Sequence, residues 1–206
     1  MAFAPLPVVE GLAAALWREN IDTDIIIPSR EITSPSREGY GAKAFAPWRY
    51  LAPGGPENHE FVLNREPWRR ARVLVAGANF GCGSSREMAV WALVQFGLQA
   101  IVAPSFGTIF RNNCVRNGLV PVVLPQAAAQ ALARQAEVAP LELRIDVAAG
   151  ELRLPDGILY HFELAPGERE MLLTGLDAIA RTLELEEQIA TFEARDRLAR
   201  PWAWNF

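Results

Sequence analysis

The apolar residues fall into two regimes along the chain. Between Arg72 and Leu124, compact apolar runs alternate with longer segments at helical spacing. This predicts strand over Arg72 to Ala76, helix over Ser85 to Phe96, strand over Gln99 to Ala103, helix over Ser105 to Asn117 and strand over Leu119 to Leu124. Gly97 and Gly118 stand just past the two helices, where left-handed C-caps belong. Two consecutive strand–helix–strand units imply right-handed crossovers and a parallel sheet segment whose strand ends carry the active loops. A weaker helical pattern covers Gln126 to Glu137. Leu141 to Val147 then alternates strictly, as a half-buried strand does, and turns at Ala149-Gly150 and Asp156-Gly157 extend it into an antiparallel meander through Leu152 to Leu154 and Ile158 to Glu163.

The N-terminal third has no such order. Pro28, Pro35, Pro47, Pro53, Pro56 and Pro67 interrupt any long helix up to about Arg70, so short strands and loops are expected. Ile25 to Ile27 reads as a fully apolar strand closed by Pro28. Arg30 to Gly41 mixes serines, arginines and glycines without a period and reads as a long exposed loop. At the other end, Leu183 to Arg197 is helical and charged, followed by the tail Pro201-Trp-Ala-Trp-Asn-Phe206. The expected organisation is a strand and loop region over 1–70, an α/β core over 71–165, and C-terminal helices with the tail over 166–206.

Composition narrows the function more than the fold. Half of the 206 residues are hydrophobic, enough for a sizeable core. The net charge of −4, with no basic run, gives nucleic acid or an anionic membrane no footprint. No segment has the form of a signal peptide or a membrane span, so a cytoplasmic protein is expected. Only Cys82 and Cys114 occur, which excludes a disulfide framework and a four-thiolate metal or iron–sulfur site within this chain.

The most informative stretch is Asn79 to Glu87, NFGCGSSRE, where a strand hands over to a helix. Ser84 followed three residues later by Glu87 is a capping box, predicting a helix that starts at Ser84 or Ser85. Unpaired N–H groups and roughly half a positive charge at such a start favour an anion, and Gly81 and Gly83 let the backbone approach it. Arg86 can grip a carboxylate in two places beside the same terminus.

Other chemistries fit less well. GCGSSR lacks the third glycine of GxGxxG, and no GxxxxGK[ST] occurs. The nucleophile elbow of serine hydrolases requires GxSxG, whereas this chain has GxGSS, and its two histidines, His59 and His161, lie in ordinary contexts without a partner motif. What remains is a serine beside an arginine with no histidine nearby. Such a hydroxyl acts as a base only if N–H groups and positive charge stabilise its alkoxide in a water-poor site. Removing a proton next to a carboxylate suits it, and the group that accepts a leaving hydroxyl must come from elsewhere.

Read together, Asn20-Ile-Asp-Thr-Asp24, Ile26-Ile-Pro28, Phe45-Ala-Pro-Trp-Arg-Tyr50, Phe61-Val-Leu-Asn64, Asn79 to Glu87, Ala103-Pro-Ser-Phe106, Ile109-Phe-Arg-Asn112 and Asn117-Gly-Leu119 resemble the family of 3-isopropylmalate dehydratase small subunits, the counterpart of the swivel domain of aconitase. The resemblance spans nearly the whole chain. It implies a compact mixed-sheet β/β/α barrel of the α/β class with a C-terminal helical extension. It also implies a hydro-lyase of leucine biosynthesis that isomerises 2-isopropylmalate to 3-isopropylmalate by dehydration and rehydration. The partner would be a large subunit whose three cysteines hold a [4Fe–4S] cluster; this chain would bind no metal. By match to the motif, Ser84 would be the catalytic base, with Ser85 and Arg86 holding a substrate carboxylate. Cys82 then reads as a packed thiol in a tight turn.

Two positions depart from the pattern. Many relatives have histidine where this chain has Met88, which would point along the helix away from the anion. The loop after Pro28 helps to tell a branched alkyl group from a carboxylate in the family, and here Arg30, Thr33, Ser34 and Arg37 are its candidate specificity residues. That leaves open a homoaconitase, citramalate or dimethylmalate type of hydro-lyase, a non-catalytic carboxylate-binding module, and self-association of the isolated chain. Arg18 lies near the offset of a substrate-binding arginine in aconitase and is not assigned.

Overall fold

The computed structural model describes residues 3–32, 36–84 and 86–204. In chain order, its elements begin with β1 (Val8–Leu16), α1 (Thr23–Ile26), α2 (Ala46–Arg49), β2 (Val73–Ala76) and α3 (Glu87–Phe96). They continue through β3 (Ala100–Ala103), α4 (Thr108–Arg116), β4 (Val120–Val123), α5 (Gln126–Val138) and β5 (Leu141–Asp146) to β6 (Glu151–Arg153), β7 (Leu159–His161), α6 (Pro166–Thr174), α7 (Ala178–Leu183) and α8 (Glu186–Ala199). Short 3-10 turns punctuate the segment from Ser29 to Arg70.

Seven strands form one mixed sheet in the order β4-β3-β2-β1-β5-β6-β7. The parallel half, β4-β3-β2, follows from the two crossovers, and the antiparallel half, β5-β6-β7, is the expected meander. β1 joins them. Its C-terminal part, Ala13 to Leu16, pairs parallel with Val73 to Ala76, while Val8 to Ala13 pairs antiparallel with Leu141 to Asp146. A nine-residue central strand was not expected here. Gly11-Leu-Ala-Ala-Ala-Leu16 has weak strand propensity, and it is a strand because each half of β1 is paired along an edge and Leu12 to Leu16 are buried on both faces.

Alternate residues of the parallel strands feed two cores. Val73, Val75, Ala100 and Val102 face α5 and α6, while Leu74, Ala76, Ile101 and Ala103 face α3, α4 and the N-terminal turns. Burial on both faces makes these strands continuous apolar runs, and β5, with one face open, alternates. One element assignment changes here, and the tail acquires one. Ile25 to Ile27 is not a strand, because Asp22 caps the turn of α1 by accepting a hydrogen bond from Ile25 N at 2.8 Å, with Ile26 and Ile27 sunk into the second core. The tail Pro201–Trp204 is a 3-10 turn folded back on α8, where Trp204 Nε1 donates to Asp196 at 3.0 Å. None of the described helices is long and apolar enough to cross a membrane.

α4 is tied to α6 by Arg111, whose guanidinium bonds both carboxylate oxygens of Glu168; the same carboxylate accepts from Ala165 N at 2.9 Å. Burial pushes the Glu168 carboxyl up, but these hydrogen bonds outweigh it and hold the group below its ordinary value. A depressed carboxyl contributes stability above its unfolded value, and that stability is lost as pH falls through the folded value. Glu168→Gln should therefore lower Tm at neutral pH by roughly 2–4 °C, about 1 kcal/mol. The difference from the parent should close below the usual carboxylate range, and a Tm gap that persists undiminished in acid would rule this account out.

Candidate functional site

Because β1, β2 and β3 run parallel, their C-terminal ends open at one edge of the sheet. The loops 17–24, 77–86 and 104–107 meet there, and parallel pairing resumes after a break. Asp22 bridges Cys82, and Phe80 bridges Phe106. Asn20 N donates to Ala78 O at 2.9 Å, Gly81 N to Ile21 O at 2.7 Å and Thr23 N to Cys82 O at 3.1 Å. Asn20 and Asn79 both take left-handed backbone, a conformation asparagine tolerates better than most residues, and their side chains bond each other at 2.8 Å.

Gly81 is the tightest point of this loop. It has φ +72°, and a Cβ there would lie 2.1 Å from Cγ of Phe110, which is buried edge-on against Phe80. Gly83 is also left-handed, at φ +84°. These two glycines fold the chain back on α4 and carry it past Asp22.

That route delays the helix. α3 begins at Glu87 with Arg86 as its N-cap, and no side chain caps it. The expected capping box is therefore not formed. The carbonyl of Ser84 is held instead by the hydroxyl of Thr23, at 2.6 Å, and the Glu87 carboxylate accepts from Asn117 Nδ2 at 3.0 Å rather than reaching back to Ser84. Ser84 is left exposed on a loop whose backbone is fixed. Met88 becomes the second helical residue and packs against the second core.

Arg86 is half-buried and its guanidinium meets Asp24, with Nη1 to Oδ1 at 2.5 Å and Nη2 to Oδ2 at 3.3 Å. The hydrogen bond from Arg86 holds the Asp24 carboxyl below the usual carboxylate range, and Ser29 Oγ adds a bond at 3.1 Å. Of the two cysteines, Cys114 is sealed in the core and Cys82 is partly buried in the glycine turn; burial pushes both thiols up, with Asp22 adding to the effect at Cys82. Neither has the environment of a metal-ligating thiolate, and two thiols do not match the donor set of an iron–sulfur cluster.

The remaining sequence candidates separate. Ser85, Thr33 and Ser34 lie outside the described residues. Arg30, paired with Glu31 at 3.6 Å, lines a small pocket with Lys43 and Tyr50. Arg37 lies elsewhere: its guanidinium stacks 4.3 Å over Trp91, and it borders a groove of about 690 Å³ with Glu87, Asn117 and Ile179. Trp91 donates to Asn117 at 3.0 Å, while Gln95 accepts from Tyr40 N at 2.9 Å and donates to Arg37 O, so the face of α3 anchors this loop. Sequence reasoning assigned no role to Thr23 or Asp24. Their signal was the pair of acids around a buried threonine in Asp22-Thr-Asp24.

The sheet order and the glycine–serine–arginine loop at its parallel edge define an aconitase-type swivel fold, and the family model described as the Aconitase C-terminal domain matches residues 4–127. A 3-isopropylmalate dehydratase small subunit from Cupriavidus necator is 54% identical over 202 residues, spanning 96% of this chain and 97% of that protein. The counterpart from Dechloromonas aromatica is 45% identical over 206 residues, with the same coverage. The crystal structure of a 3-isopropylmalate dehydratase from Methanocaldococcus jannaschii matches with a TM-score of 0.64 at 27% identity, covering 90% of this chain and 99% of that one. The chain belongs to the family of 3-isopropylmalate dehydratase small subunits.

Gly81→Ala should destabilise the chain by about 2–5 kcal/mol, because it adds left-handed strain to a clash with a buried ring. A urea midpoint equal to the parent's would show that the loop relaxes freely.

Proposed function

We propose that this chain is the small subunit of a cytoplasmic hydro-lyase that interconverts 2-isopropylmalate and 3-isopropylmalate by dehydration and rehydration in leucine biosynthesis, in complex with a large subunit. The observation that carries the site assignment is an exposed Ser84, fixed through its own carbonyl, two residues from the guanidinium of Arg86. The names of relatives that match nearly end to end support the reaction. Residues 1–206 act as one swivel-type unit.

In this reading Ser84 removes and returns the proton on the carbon beside a carboxylate, and Arg86 with Ser85 holds that carboxylate. The alkoxide of Ser84 needs positive charge and N–H groups close by. Arg86 stands two residues from it, and the first turn of α3 begins three residues away. That turn takes no cap from Ser84, whose hydroxyl is then available to substrate. A [4Fe–4S] cluster on the large subunit would supply the Lewis acid for the leaving hydroxyl; no step assigned to this chain runs through it. Substrate discrimination is assigned to the segment from Ser29 to Arg37, with Arg30, Thr33, Ser34 and Arg37 as its candidate residues.

With the cluster-loaded large subunit, Ser84→Ala should cut kcat by at least about a hundredfold, the lower range for losing a general base, with assembly unchanged. Full activity would remove Ser84 from the chemistry. Arg86→Lys should raise KM by about tenfold, since a point charge cannot reproduce a bidentate grip. Offered 2-isopropylmalate, homocitrate, citramalate and dimethylmalate, the complex should turn over the first with the highest kcat/KM. A preference for homocitrate would reassign the substrate.

A further inference from the structure

Two residues of α1 contact the two ends of the Ser84 to Arg86 segment. Thr23 is buried, 1% exposed, and spends its hydroxyl on the carbonyl of Ser84 at 2.6 Å, while its backbone N–H holds the carbonyl of Cys82. The side chain of Asp24 reaches the guanidinium of Arg86 end-on, one oxygen to each Nη. Asp24 is itself steadied by Ser29, and the turn that carries both residues is capped by Asp22. A guanidinium has five N–H donors in a rigid plane. End-on pairing with Asp24 uses one hydrogen on each Nη and leaves the parallel Nε–H and Nη2–H edge for a second carboxylate.

We infer that Thr23 and Asp24 are positioning residues of the site: Thr23 sets where the Ser84 hydroxyl stands, and Asp24 fixes the plane of Arg86 so that its side-on edge, not its end, receives the substrate carboxylate. The inference rests on the assignment of Ser84 and Arg86 above. Asp24 and the substrate carboxylate then sit on different edges of one guanidinium and do not compete. The charge of Asp24 also keeps Arg86 oriented before substrate arrives, so little side-chain freedom remains to be lost on binding. Thr23 acts through backbone position, and small displacements of a base are costly in rate.

The two contacts should separate in kinetics of the reconstituted complex. Thr23→Val keeps the shape and removes the hydroxyl; kcat should fall by about tenfold to a hundredfold with KM little changed, and Thr23→Ser should restore most of the loss. Asp24→Ala should instead raise KM by about tenfold, the loss expected for a hydrogen bond to a charged group. A readout independent of activity is the Arg86 Nε–H resonance of the full chain with labelled arginine, assigned by its absence in Arg86→Lys. It should be sharp in the parent and broadened by exchange in Asp24→Ala. An unchanged Arg86 signal in Asp24→Ala, or a Thr23→Val enzyme with parental kcat, overturns the inference. Should Ser84→Ala prove fully active, the catalytic reading falls on its own, and the Arg86 resonance still decides whether Asp24 orients the arginine.

Discussion

The resumed parallel pairing between residues 20–23 and 78–82 is the constraint on which the candidate site depends. Pairs 61 and 62 residues apart in sequence are joined just beyond it, the Thr23 hydroxyl to the Ser84 carbonyl and the Asp24 carboxylate to the Arg86 guanidinium. Ordering such segments costs conformational entropy, which the adjacent β1 and β2 pairing has already largely met by bringing the two strand ends together. The loop contacts therefore act between segments that have little freedom left. Phe110 works from below: it fills the space beside Gly81, so no side chain fits there and the turn has few alternatives.

One consequence is that helix α3 is not allowed to begin where its sequence would let it. Ser84 and Glu87 have the spacing of a capping box, but Thr23 takes the Ser84 carbonyl and Asn117 engages Glu87. Two tertiary contacts thus replace one local motif. The exchange leaves the serine hydroxyl uncommitted to a cap. It also places Arg86 at the N-cap, where its side chain leaves the helix and meets Asp24.

A second consequence concerns the segment from Arg30 to Gly41. Its two arginines do not converge: Arg30 joins the pocket of Lys43 and Tyr50, whereas Arg37 stacks on Trp91 beside the groove that includes Glu87. Gln95 serves as a stand-in for a strand edge, accepting from and donating to loop backbone groups that have no ladder of their own. α3 consequently supports the glycine loop at its start and the long loop along its outer face.

Taken alone, the sequence determined the βαβαβ unit from Val73 to Val123 and the meander after Leu141, and it singled out the glycine–serine–arginine stretch Asn79 to Glu87. Each is written in short-range terms: apolar period, glycine past a helix end, turn pairs. Burial on both faces turns β2, β3 and β4 into unbroken apolar runs, and burial on one face turns β5 into an alternation, so periodicity reports them directly. Only the tertiary structure decided that alanine-rich β1 is the central strand, that Ile25 to Ile27 closes a helical turn, that α3 starts at Glu87, and that Thr23 and Asp24 contact Ser84 and Arg86. These outcomes depend on partners far away in sequence. A strand of weak propensity forms when each of its halves is paired along an edge, and a cap is abandoned when a distant hydroxyl holds the Ser84 carbonyl and a distant carboxamide holds the Glu87 carboxylate, neither of which is written in a local pattern.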